Sequence, residues 1–108
     1  MYLTLKDADN QILGGIIAFI SNYWGRCSID ILWIEEKYRN LGYGSQLLRT
    51  IEEIAIKKNC NIITLNTASF QAPKFYIKQG YELYGILRNF PTEEHSEYSF
   101  KKTLTNTF

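Results

Sequence analysis

Between Cys27 and Thr67 the hydrophobic period changes twice, and that change constrains the fold more than any other feature of the chain. Cys27 to Ile34 alternates, with Ile29, Ile31 and Trp33 on one face and Ser28, Asp30 and Leu32 on the other, as a strand does. From about Gly44 the apolar residues Leu47, Leu48, Ile51, Ile54 and Ala55 follow helical spacing, with Arg49, Glu52, Glu53 and Lys57 opposite. Asn59 can end that helix, and Asn61 to Thr67 is then a strand with no gap for a second helix. A strand, a helix and a strand joined this tightly imply a right-handed crossover and a parallel pair.

The flanks extend that unit into one mixed sheet. Tyr2 to Lys6 and Ile12 to Ile20 read as strands joined by the polar turn Asp7–Gln11, so the chain opens as an antiparallel meander. Pro73 suits the first turn of a short helix through Gln79, with Gly80 as its stop. Tyr81 to Leu87 and Glu97 to Leu104 are the last two strands. The expected order is β-β-β-α-β-α-β-β, an α+β fold, and 108 residues make one domain spanning 1–108.

Composition narrows the partners. Twelve basic and eleven acidic residues give a net charge of +1, too little basic excess for a protein held by the nucleic-acid backbone. Cys27, Cys60 and the lone His95 have no metal-ligand spacing, so no metal is expected and the thiols read as buried and reduced. The apolar run Ile12–Ile20 is too short to span a bilayer, which points to a soluble, cytoplasmic protein with no membrane partner.

The stretch Tyr38-Arg39-Asn40-Leu41-Gly42-Tyr43-Gly44-Ser45 lies between the third strand and the first helix, and glycines are poor helix starters. Two readings stand. Glycine can supply the positive φ of a tight turn. It can also bare helix-start amides, which carry the positive end of the dipole, to a phosphate, with Arg39 adding a charge. A P-loop is excluded because Ser45-Gln46, not Lys-Ser/Thr, follows Gly44. A dinucleotide fingerprint is excluded because position 47 is Leu47, and because the next strand ends Leu65-Asn66-Thr67 without an acidic residue.

Arg39-x-x-Gly42-x-Gly44 opening an amphipathic helix resembles the acetyl-CoA signature of the GNAT superfamily of N-acetyltransferases. Leu32 to Tyr38 resembles that family's fourth strand and its exit. Ala72-Pro73-Lys74-Phe75-Tyr76-Ile77-Lys78-Gln79-Gly80-Tyr81 is similar to its later A-x-x-x-Y-x-x-x-G-[F/Y] motif. The resemblance implies that the backbone of Leu32, Trp33 and Ile34 takes the pantetheine arm, with one amide there stabilising the thioester oxygen. It also implies that Arg39, Asn40, Leu41, Gly42, Tyr43, Gly44 and Ser45 take the pyrophosphate, and that Asn66 and Thr67 sit beside the arm. Tyr76 is the implied general acid and a cofactor contact. Its unperturbed pKa of about 10, against about 8.5 for a thiol, makes proton donation to a nascent thiolate feasible without a large shift. The alternative for Tyr76 is a place in the core. Asp30 is a candidate base, or a structural carboxylate; Glu35, Glu36 and His95 read as solvated.

Relative to the family, the chain starts at what would be the second strand, and Ser69 stands where an Asn is common. The leading expectation is an acetyl-CoA-dependent N-acetyltransferase acting on a primary amine of a small molecule or peptide. The alternatives are a catalytically silent acyl-CoA-binding module and an interaction domain whose glycines only turn the chain. The meander edge Tyr2–Lys6, or the last strand, is expected to pair two copies as a homodimer.

Overall fold

The computed structural model describes residues 1–21, 24–68 and 72–104. The strands are β1 (Tyr2–Lys6), β2 (Ile12–Ser21), β3 (Arg26–Ile34), β4 (Ile62–Thr67), β5 (Glu82–Arg88) and β6 (Ser96–Thr103), and the helices are α1 (Tyr43–Lys57) and α2 (Ala72–Lys78). A single 3-10 turn, Glu36–Tyr38, lies between β3 and α1. The expected order of elements holds, with boundaries within about a residue of those read from the sequence. Ser69 lies outside the described residues.

The six strands form one sheet in the order β1-β2-β3-β4-β6-β5, with β3 and β4 parallel and the other pairs antiparallel. One expectation is corrected here. The last strand, β6, is not an edge: it inserts between β4 and β5, so the free edges are β1 and β5. Of the two proposed pairing edges, only Tyr2–Lys6 is open.

The core lies between the sheet and the two helices. Leu48 and Ile51 of α1 are fully buried with Ile16, Ile63 and Phe100 of the sheet. Each such side chain contributes roughly 1.5–3 kcal/mol on leaving water. Asn59, with a positive φ of 64°, ends α1, and the Cys60 amide donates to the Ala55 carbonyl at 2.9 Å. Gly80, with φ 89°, does the same for α2, and the Tyr81 amide donates to the Tyr76 carbonyl at 2.9 Å. Both stops use the left-handed conformation that lets a following amide satisfy a helix carbonyl.

The strict alternation read for β3 fails at Asp30. Ile17 pairs with Ile31 but Ala18 pairs with Ile29, so Asp30 is the extra residue of a bulge. Cys27 and Ile29 face the helices below it. Beyond it the phase shifts: Leu32 and Ile34 pack on the core, while Ile31 is 46% exposed on the other face. Pairing between β3 and β4 runs from Arg26–Ile62 only to Ile29–Leu65. The bulge therefore marks the point where two central parallel strands part, and beyond it the β4-facing edge of β3 has no strand partner among the described residues.

Candidate active site

The opening between β3 and β4 continues into a groove of about 770 Å3 on the helix side of the sheet. Leu32, Trp33 and Ile34 of β3 form one wall and Thr67 of β4 the other. The 39–45 loop and the start of α1 close one end, and Phe75, Tyr76, Lys78 and Gln79 of α2 line the rest. Chemically the groove offers unpaired strand edge at one end and helix-start amides at the other.

The two glycines of the loop have different jobs. Gly42, with φ 86°, is the residue before α1, and a Cβ there would meet nothing within 4 Å. Its glycine is required by conformation, as the tight-turn reading holds. Gly44 sits inside the helix, where an added Cβ would lie 3.3 Å from Cζ of Phe75. Here glycine leaves room for the close approach of α2. No side chain caps this helix start, so the first-turn amides of Tyr43, Gly44 and Ser45 stay open to the groove. The tight-turn reading therefore accounts for Gly42, and packing against Phe75 accounts for Gly44.

Arg39 is held by a hydrogen bond from its Nε to the Ile34 carbonyl at 3.0 Å. That contact fixes the guanidinium at the junction of strand edge and helix start. The Gln79 Nε2 donates to Ser45 Oγ at 2.9 Å and ties the end of α2 to the start of α1.

Tyr76 is buried, only 7% exposed, with its ring edge-on to Phe75 at 5.1 Å and to Tyr81 at 5.8 Å. It packs in the core and also lines the groove. Burial pushes its hydroxyl up to about 12. A group at about 12 facing a thiol at about 8.5 opposes complete transfer by about 5 kcal/mol. Tyr76 is held protonated by its burial.

Two of the expected cofactor residues turn their side chains away from the groove. Leu41 is 61% exposed and its side chain does not line the groove, because the positive φ of Asn40 and Gly42 turns the loop outward between them. Asn66 lies on the opposite face from Thr67, as strand alternation requires, and accepts a hydrogen bond from Ser99 Oγ at 2.8 Å. Asp30 is also on that opposite face, in a second depression with Ser28, Thr64 and Asn66. Asp30 and Tyr76 thus flank the same strand opening from two sides. Sequence reasoning missed Phe75, Lys78 and Gln79, which line the groove. Lys78 falls at a variable position of the later motif, and only the docking of α2 brings it to the groove. Among the described residues no three His, Cys, Asp or Glu side chains are close enough to hold a metal ion.

A strand pair opened at a bulge faces bare amides at the start of the intervening helix, and the model of the Acetyltransferase (GNAT) domain family matches residues 2–83. The chain belongs to the GNAT family. An acetyltransferase of known structure from Bacillus cereus ATCC 14579 is 42% identical, with a TM-score of 0.88 over 96% of this chain and 72% of that one. The blasticidin-S acetyltransferase of Streptomyces morookaense is 30% identical over 82 residues, covering 75% of this chain and 59% of that protein. An aminoglycoside 6'-N-acetyltransferase complexed with coenzyme A, 17% identical, shares the GNAT fold with a TM-score of 0.89 over 99% of this chain and 74% of that one. The chain spans 59% of the length of that blasticidin-S acetyltransferase, and 61% and 50% of two further sequence relatives, an acetyltransferase of Agrobacterium fabrum and an uncharacterized N-acetyltransferase of Methanocaldococcus jannaschii.

Proposed function

We propose that this GNAT chain transfers the acetyl group of acetyl-CoA to a primary amine. The observation that carries the reading is the meeting, in one groove, of an unpartnered strand edge at Leu32–Ile34 with uncapped amides at Tyr43–Ser45. The groove's cradle suits a pyrophosphate on a long polar arm: amide donors, Arg39 and Lys78 meet the anion, and strand edge meets the amide-bearing arm. Bound acetyl-CoA would supply an activated thioester.

The chain's own residues then have distinct tasks. The main chain near Trp33 and Ile34 orients the thioester and donates to its carbonyl oxygen. Tyr76 donates a hydrogen bond to the departing sulfur, and solvent completes its protonation. Asp30, across the opening, takes the proton that the amine nitrogen loses as the C–N bond forms and the C–S bond breaks. Two buried free thiols, Cys27 and Cys60, fit a reducing, cytoplasmic setting. The open β1 edge suits a homodimer in which the two copies pair along Tyr2–Lys6.

The reading is tested by thiol release from acetyl-CoA with a panel of primary amines, comparing the protein with Tyr76→Phe. Loss of one hydrogen bond to a charged group, about 1.5–3 kcal/mol, corresponds to a fall in kcat of roughly ten- to a hundredfold. Acetyl-CoA affinity should change little, since the ring is retained. An unchanged kcat would remove Tyr76 from the mechanism, and no turnover with any amine would favour an acyl-CoA-binding module.

A further inference from the structure

The depression on the face of the sheet away from the helices has an ordered charge pattern. Its volume is about 370 Å3, and its charged lining residues are Arg26, Asp30 and Glu97. They are not mixed. Glu97 lies on β6 beside Tyr98, which pairs with Thr67 at the open end of β4, and Asp30 is the bulge residue where β3 leaves β4. Both carboxylates are therefore at the strand opening. Arg26 lies at the far end, where β3 and β4 begin to pair through Arg26–Ile62.

The arginine is also set in place. Its Nε donates to Thr64 Oγ1 at 2.9 Å, and Thr64 Oγ1 lies 3.4 Å from Ser28 Oγ. This leaves the two terminal amino groups of the guanidinium as a planar fork, the geometry that matches a carboxylate or phosphate. Between the two ends the floor is neutral and polar, made by Ser28, Thr64 and Asn66, and Phe19 forms an apolar wall. Salt bridges between Arg26 and the two carboxylates are absent among the described residues, so neither end is neutralised by the other.

We infer that this depression receives a small zwitterionic acceptor, with its primary amine at Asp30 and Glu97 and a carboxylate or phosphate on Arg26. The inference rests on the acetyl-transfer reading and narrows it. The amine end is placed where the pairing of β3 and β4 stops, beyond Ile29–Leu65. Four residues of strand separate the ends by about 13 Å between Cα atoms, and the side chains shorten this to the span of a short ω-amino acid. A diamine of equal length would put its second cation against Arg26. A long peptide would have to leave past Phe19, and its charge at the far end would not be fixed.

The test needs no turnover. The full chain is titrated by two-dimensional NMR with 6-aminohexanoate and, separately, with 1,6-diaminohexane. The expected result is that 6-aminohexanoate shifts the amides of residues 26–30 and 64–66 and binds at least fivefold more tightly than the diamine. Arg26→Met should bring the two ligands within twofold of each other, and Arg26→Lys, which keeps the charge without the fork, should retain part of the preference. Equal or tighter binding of the diamine, shifts confined to other residues, or a preference that survives Arg26→Met would overturn the inference. Acetyl-CoA, titrated in parallel, reports separately through the amides of 40–46. Its failure to bind would sink the acetyl-transfer reading and leave the ligand-preference result to stand or fall on its own.

Discussion

Exchanging each loop glycine for alanine separates the two reasons for their presence. At Gly42 an alanine meets no atom within 4 Å, but it must adopt φ 86°. The left-handed conformation costs a non-glycine residue about 1–2 kcal/mol, so Gly42→Ala should destabilise the protein by that amount. At Gly44 the backbone is already helical, and alanine is favoured over glycine there by up to about 1 kcal/mol. Against this, the new Cβ would approach Phe75 Cζ to 3.3 Å and push the ring by a few tenths of an ångström. The two contributions are similar in size and opposite in sign, so Gly44→Ala should leave stability within about 1 kcal/mol of the parent. Urea unfolding followed by far-UV circular dichroism measures both. Gly44→Ala should nevertheless weaken acetyl-CoA binding, since it shifts the Phe75 wall of the groove. A neutral Gly42→Ala, or a Gly44→Ala more destabilising than Gly42→Ala, would refute the assignment of one glycine to conformation and the other to close packing.

Two further outcomes follow from the buried polar and ionisable groups. Glu52 accepts from Tyr81 Oη at 2.8 Å and from Lys102 Nζ at 3.1 Å, and its side chain is 13% exposed. Glu52→Ala strands the Tyr81 hydroxyl and should cost about 2–4 kcal/mol in urea unfolding, whereas a loss below about 1 kcal/mol would show the cluster to be incidental. Burial, followed by the neighbouring Cys60, pushes the Cys27 thiol up to about 11, and burial pushes Tyr76 up to about 12. Both groups are held protonated in the fold, so their contribution is intact below the unfolded values of about 9 and 10 and is lost as pH rises toward 11 and 12. Stability measured between pH 8 and 11 should fall from about pH 9 upward, and a flat profile would contradict the burial of these groups.

The order of elements was legible in the sequence because each carries its own signal: period, stop residue or turn. Asn59 and Gly80 end their helices as read, since left-handed stops are a local property. The phase of β3 was not legible beyond Asp30, because a bulge inserts a residue without altering composition. The position of β6 was equally hidden: neighbours in a sheet are chosen by long-range packing, and alternation in Tyr98–Leu104 is the same at an edge or in the centre. In the site, Arg39, Gly42, Gly44 and Tyr76 were found from two short motifs, Leu32, Trp33 and Ile34 from the strand before them, and all meet in one groove. Asn66 was named with its neighbour Thr67, but a strand sends alternate side chains to opposite faces, and the Leu41 side chain, named for its amide, is turned outward. Glu52 read as part of a solvated helix face. Its partners, Tyr81 and Lys102, are 29 and 50 residues away, beyond anything a local pattern can report.

The central claim is that the bare amides at the start of α1 and the open edge of β3 together hold acetyl-CoA. Isothermal titration of the purified chain with acetyl-CoA, with NADH as the control nucleotide, tests it most directly. The account predicts micromolar binding of acetyl-CoA and none of NADH. Equal binding of both would reduce the groove to a generic anion site, and no binding of acetyl-CoA would contradict the account.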